Sequence, residues 1–181
     1  LHGQLYVPAE DDIWEPPDGI YELLERITPG TKTHRAFSRV VFTGDEDTAM
    51  EIEKRGQGMR YAHAFWDYIR VLYDYAEGRS DGRINCGVHA YLTSDHISGH
   101  KCPADRHVPT ESSTTLQRWG RERTLPVPPE VDPTGKVLMA AHFRPTWADT
   151  FAPRMHYYDD AANTGKMYVG YIGKHLPNTK S

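Results

Sequence analysis

Apolar residues recur at helical spacing in the first half of the chain and alternate with polar ones in the last quarter. Ile20, Leu23, Leu24 and Ile27 stand three and four apart, which predicts a short helix over 18–27 that Asp18 can cap. Pro8, Pro16, Pro17, Pro29, Gly19 and Gly30 interrupt every other pattern up to residue 36, so 1–36 reads as an irregular segment. Within it, Asp11, Asp12 and Trp14 suggest a stretch held to the surface by its tryptophan. Val40, Val41 and Phe42 centre a short strand over 37–43. The clearest helix follows, capped by Thr43 or Asp45. Asp45, Glu46, Asp47 and Glu51 place negative charge where the helix dipole favours it. Ala62, Phe65, Trp66, Ile69, Leu72, Tyr73 and Ala76 form one broad apolar face that runs to about Gly78. Gly56 and Gly58 can bend or break this helix. His63 on it reads as a partly buried, satisfied histidine.

Val88 to Leu92 reads as a strand, and 93–120 is a histidine-rich loop with a short helix near 113–119. Residues 123–127 read as extended, confined to an edge by Pro126, Pro128 and Pro129. After the turn Pro133-Thr134-Gly135, three alternating stretches follow at 137–144, 153–158 and 167–172. The first places Val137, Met139, Ala141 and Phe143 on one side and Leu138, Ala140, His142 and Arg144 on the other. The second places Met155 and Tyr157 opposite Arg154, His156 and Tyr158. Short polar loops between them predict an antiparallel meander. The expected fold is α+β, with one domain over 1–181 whose long helix packs on an antiparallel sheet ending in a three-strand C-terminal meander.

Composition supports a packed core. Aromatics make up 11% of the 181 residues, with four Trp and eleven Tyr, which excludes a chain disordered throughout. No apolar run reaches the ~18–20 residues of a membrane span, so no membrane partner is expected. No basic stretch leads into an apolar one at the start, so no signal peptide is expected. Two cysteines, Cys86 and Cys102, are too few for a disulfide framework, and reduced thiols in a cytoplasmic protein are the simpler expectation.

Net charge is −4, which disfavours broad coating of nucleic acid. Residues 1–100 hold 10 basic and 17 acidic residues, net −7, whereas 101–181 hold 11 basic and 8 acidic, net +3. A local basic site in the second half is therefore allowed.

The candidate chemistry begins with His142-x-Arg144 and Arg154-x-His156. Directly opposed residues of an antiparallel pair have a constant index sum. A sum of 298 sets His142 against His156 and Arg144 against Arg154, with Met139, Ala141 and Phe143 sharing a face with Met155 and Tyr157. Opposed arginines repel, and an anion between them relieves the repulsion. Histidine supplies acid–base chemistry near neutral pH. This points to a phosphodiester held by Arg144 and Arg154, with His142 and His156 as acid and base and Tyr158 and His175 as accessory groups. The plain alternative is a solvated sheet face.

A second group, His96, His100, Cys102 and His107, has the donor types of a structural zinc site without the paired-cysteine spacing, and His89 could substitute in it. Otherwise it is a surface loop rich in histidine. Arg118, Trp119, Arg121 and Arg123 combine charge and stacking in the manner of a single-stranded nucleic-acid grip, diluted by Glu111 and Glu122. Asp159 and Asp160 read as acids opening the 159–166 turn rather than as magnesium ligands. Phosphate-cradling glycine loops, a Gly-x-Ser-x-Gly elbow and His-Glu-x-x-His are absent from the sequence.

The helix followed by a three-strand meander with a His/Arg face is similar in outline to small metal-independent ribonucleases of the toxin kind, a likeness of layout without a shared motif. The expected function is metal-independent, ribonuclease-like cleavage of a phosphodiester on that face, needing no cofactor, with RNA or another phosphate-bearing ligand as partner. The alternatives are a non-catalytic phosphate-, nucleotide- or nucleic-acid-binding domain of a larger assembly, and an interaction domain ordered by zinc.

Overall fold

The computed structural model describes residues 13–145 and 150–180. Asp11 and Asp12, expected on a surface-held segment, lie outside them. Helix α1 spans Ile20–Ile27, strand β1 Val40–Phe42, α2 Glu46–Lys54, α3 Gly58–Ser80, α4 Val88–Thr93 and β2 His107–Val108. They are followed by α5 at Ser113–Trp119, β3 at Thr124–Pro126, β4 at Lys136–Leu138, β5 at His142–Phe143, β6 at Arg154–Asp160 and β7 at Lys166–Gly173.

The expected long helix is two. Gly56 adopts φ +72°, a left-handed conformation that ends α2, and α3 begins two residues later and runs for 23 residues. Asp45 caps α2 by accepting from the Thr48 amide at 2.9 Å. Asp18 does not cap α1: Gly19 occupies that position, and Glu53 on α2 accepts from the Ile20 amide at 2.5 Å instead. Val88–Leu92 is helical, not extended. Val88, Tyr91 and Leu92 are buried at a spacing of three and four, the helical reading of a run too short to be settled by pattern.

Five strands form one sheet in the order β1-β7-β6-β5-β2, antiparallel except for the parallel pair β1–β7. The stretch expected as one strand over 137–144 divides. Its first part, β4, pairs with β3 in a separate hairpin, and its second, β5, joins the main sheet. The two sheet faces are covered differently. Helices α1 to α4 bury one face, where Phe143, Met155, Tyr157, Met167, Val169 and Ile172 meet the aromatic face of α3. The β3–β4 hairpin closes part of the other with Val41, Val127, Met139 and Tyr168. Trp14 is buried against Phe37, Trp66 and Tyr73, and its carbonyl accepts from Trp66 Nε1 at 2.8 Å, so the start of the described chain is fastened to α3.

A candidate anion cleft beside the two-histidine register

Strand β5 is short but its register is the expected one: His142 pairs with His156 and Phe143 with Met155. Helix α3 holds this strand down. The Tyr68 ring stacks on Phe143 at 4.9 Å, and its hydroxyl donates to the Arg144 carbonyl at 3.3 Å. On the far side, the turn just before β2 ties in the chain after β5, because the Arg144 amide donates to the Arg106 carbonyl at 2.8 Å. Arg144 and Arg154 follow from this register at one end of the β5–β6 pair. They are close enough that the Arg144 charge, after burial, lowers the Arg154 pKa.

A cleft of about 560 Å³ opens at that end. His142, Arg144, Arg154 and His175 line it, joined by Lys174 and Lys180. Four of the six residues expected to carry chemistry therefore meet in one place. His142 Nδ1 donates to the Ala140 carbonyl at 2.9 Å, which leaves Nε2 as its reactive nitrogen. His175 Nε2 accepts from Asn178 Nδ2 at 3.2 Å. Burial lowers the pKa of both imidazoles, and the positive charge of Arg154 adds to the effect at each. The arrangement can grip an anion between two guanidinium groups beside two imidazoles whose charged form burial disfavours.

His156 does not reach the cleft. It is 1% exposed, its Nδ1 donates to the Met139 carbonyl at 2.9 Å, and its ring stacks beneath His142 with centroids 4.5 Å apart. Burial holds its pKa well below the usual value. The hairpin covers the face that alternation alone predicts to be open, so His156 is a core residue that supports His142. Tyr158 is also elsewhere. It is half-buried, packed with the hairpin cluster and bordering a second cleft.

The remaining candidates disperse. His96 is exposed beside Asp95 and Ser94, whereas His100 Nε2 bonds Asp67 Oδ1 at 2.5 Å. Cys102 is buried, which pushes its thiol up to about 12. His107 Nδ1 lies 3.0 Å from His89 Nδ1, and its Nε2 lies 2.8 Å from the Tyr157 hydroxyl. Among the described residues no three His, Cys, Asp or Glu side chains stand together as metal ligands. In the basic run, Arg118 lies 4.6 Å over the Trp119 ring and is exposed, as is Arg121. Arg123 faces inward: it is 1% exposed, with Nε bonded to Glu111 and Nη1 to the Trp119 carbonyl at 3.3 Å, so it belongs to no surface grip. Asp159 and Asp160 serve the turn as expected, accepting from the Ala161 amide at 3.0 Å and from Thr164 Oγ1 at 2.7 Å.

Three contributors to the site went unread in the sequence. Lys174 and Lys180 follow β7, and only its end brings them to the cleft. Glu111 counted only as dilution of a basic run, yet it lines the cleft. Comparisons with family models, curated proteins and solved structures find no match to this chain.

Proposed function

We propose that the protein binds a phosphodiester in this cleft and cleaves RNA there without a metal. Arg144 and Arg154 hold the scissile phosphate and offset the charge that develops on it, while His142 and His175 carry the proton transfers. The observation that carries this reading is the convergence of both arginines with the buried His142 and the half-buried His175 on one concave surface. His175 takes the part that the sequence assigns to His156. Cleavage of labelled RNA and DNA, with and without chelator, tests it. Chelator-resistant RNA cleavage that falls at least 100-fold in His142→Ala and in His175→Ala is expected. RNA binding should weaken in Arg154→Ala.

A second reading, phosphate binding without turnover, is favoured by one feature. Burial lowers the pKa values of both cleft imidazoles and so disfavours the protonated form that an acid needs at neutral pH. Tight RNA binding with no cleavage by folded protein would establish it. Folded protein that binds neither RNA, DNA nor inorganic phosphate would sink both readings.

A further inference from the structure

Given a phosphate held by Arg144 and Arg154 as proposed above, one feature of the cleft is misplaced for a plain anion site. Glu111 is the one acid among the described residues that line it, amid Arg144, Arg154, Lys174 and Lys180. A carboxylate there repels a bare phosphate. It complements a phosphate that brings a hydrogen-bond donor beside it, because a carboxylate only accepts.

Glu111 is held in place from both sides. Ser112, the next residue, caps α5 by accepting from the Thr115 amide at 3.1 Å. Arg123, at the end of the 3-10 turn that follows α5, bonds Glu111 Oε2. Their side chains are 1% and 10% exposed, so the pair is shielded from solvent and fixed in direction. Among the described residues Arg123 alone bonds this carboxylate, and Oε1 is left to accept from a ligand. Glu111 lines the same cleft as His142, His175 and Arg154, and its charge favours their protonated forms, opposed at the two histidines by Arg123.

We propose that Glu111 reads a sugar hydroxyl beside the bound phosphate, with Arg123 as its positioning residue, so that the ligand is a ribonucleotide and not a deoxyribonucleotide. The 2′-hydroxyl of ribose is a donor adjacent to the phosphodiester, and deoxyribose lacks it. With a deoxyribonucleotide bound, Oε1 loses water and gains no donor.

Calorimetric titration of the whole protein with uridine 3′-phosphate, 2′-deoxyuridine 3′-phosphate and inorganic phosphate at pH 7 tests this. The ribonucleotide should bind roughly tenfold or more tightly than its deoxy counterpart, the margin of a hydrogen bond to a charged group. Glu111→Gln keeps an oxygen for Arg123 but turns an amide toward the ligand, and should shrink that margin while binding inorganic phosphate at least as well. Equal affinity for the two nucleotides overturns the proposal and leaves the phosphate site standing, and so does a margin unchanged in Glu111→Gln. Failure to bind any of the three probes overturns the phosphate site itself. The wild-type comparison decides the hydroxyl even if the variant does not fold.

Discussion

Residue by residue, burial disfavours the charged form of four histidines, two of which line the cleft. Burial lowers the pKa values of His107, His142, His156 and His175, with His107 brought down to about 4. In the unfolded chain each returns to near 6.5 and binds protons that the folded state refuses. Stability is therefore present above about pH 6.5 and is lost as pH falls from there toward the folded values. For His107 alone the drop from 6.5 to about 4 corresponds to at most about 3 kcal/mol. The lowered carboxylates Glu22, Asp45 and Asp132 act in a different window, since their stabilisation is lost only below their unfolded values near 4. Thermal unfolding followed between pH 7 and pH 5 should thus show a steep loss of Tm, and His107→Gln, which can still bond Tyr157, should flatten it. A Tm constant over that range would show that these imidazoles are not withheld from protons.

The element that shapes the cleft is the junction of β6, β7 and the β3–β4 hairpin. The ladder between β6 and β7 shifts between His156 and Tyr157: His156 faces Tyr171, Tyr157 faces Val169, and Gly170 is the extra residue. The bulge lets Met167, Val169 and Ile172 all face the helices. It also brings the backbone against the hairpin, because a Cβ at Gly170 would lie 2.6 Å from Met139 Sδ and 2.8 Å from Leu125 Cβ. Gly170→Ala should cost ~1–3 kcal/mol by lifting the hairpin, and it should make His156 more exposed, since Met139 is its bonding partner. Denaturant unfolding, with the histidine ring signals read by NMR, checks both. Loss of stability with an unchanged His156 signal would mean that the hairpin does not bury that ring. The same junction explains what could be read from sequence. The pairing of His142 with His156 was legible, because two alternating segments admitted a register that satisfied both faces. The burial of His156 was not, because alternation marks two faces and says nothing of what covers the second. Nor was the division of 137–144 between two sheets, which depends on where the chain crosses from hairpin to sheet. Glu111 and Arg123, twelve residues apart, meet only because α5 and the 3-10 turn after it reverse the chain.

Across the whole molecule, charge decides how much of a polyanion can be engaged. The chain is acidic overall at −4, and its first hundred residues carry net −7. For the RNA binding proposed above, this balance gives little attraction away from the cleft, and the inward turn of Arg123 removes one cation from the basic run. Affinity should therefore come from one or two phosphates at the cleft and not from a track along the surface. Each phosphate neutralised on a single strand contributes about −0.7 to the slope of log affinity against log salt. One or two give a slope between about −0.7 and about −1.4, shallow for a nucleic-acid-binding protein. Binding of a ten-nucleotide RNA measured from 50 to 300 mM salt should fall in that range, and Arg154→Ala should lower affinity and slope together. A slope steeper than about −3 would require four or more phosphates, more than the cleft can hold between Arg144 and Arg154. The exposed Arg118 and Arg121 would then have to be part of the interface, and a clasp limited to one or two phosphates would be wrong.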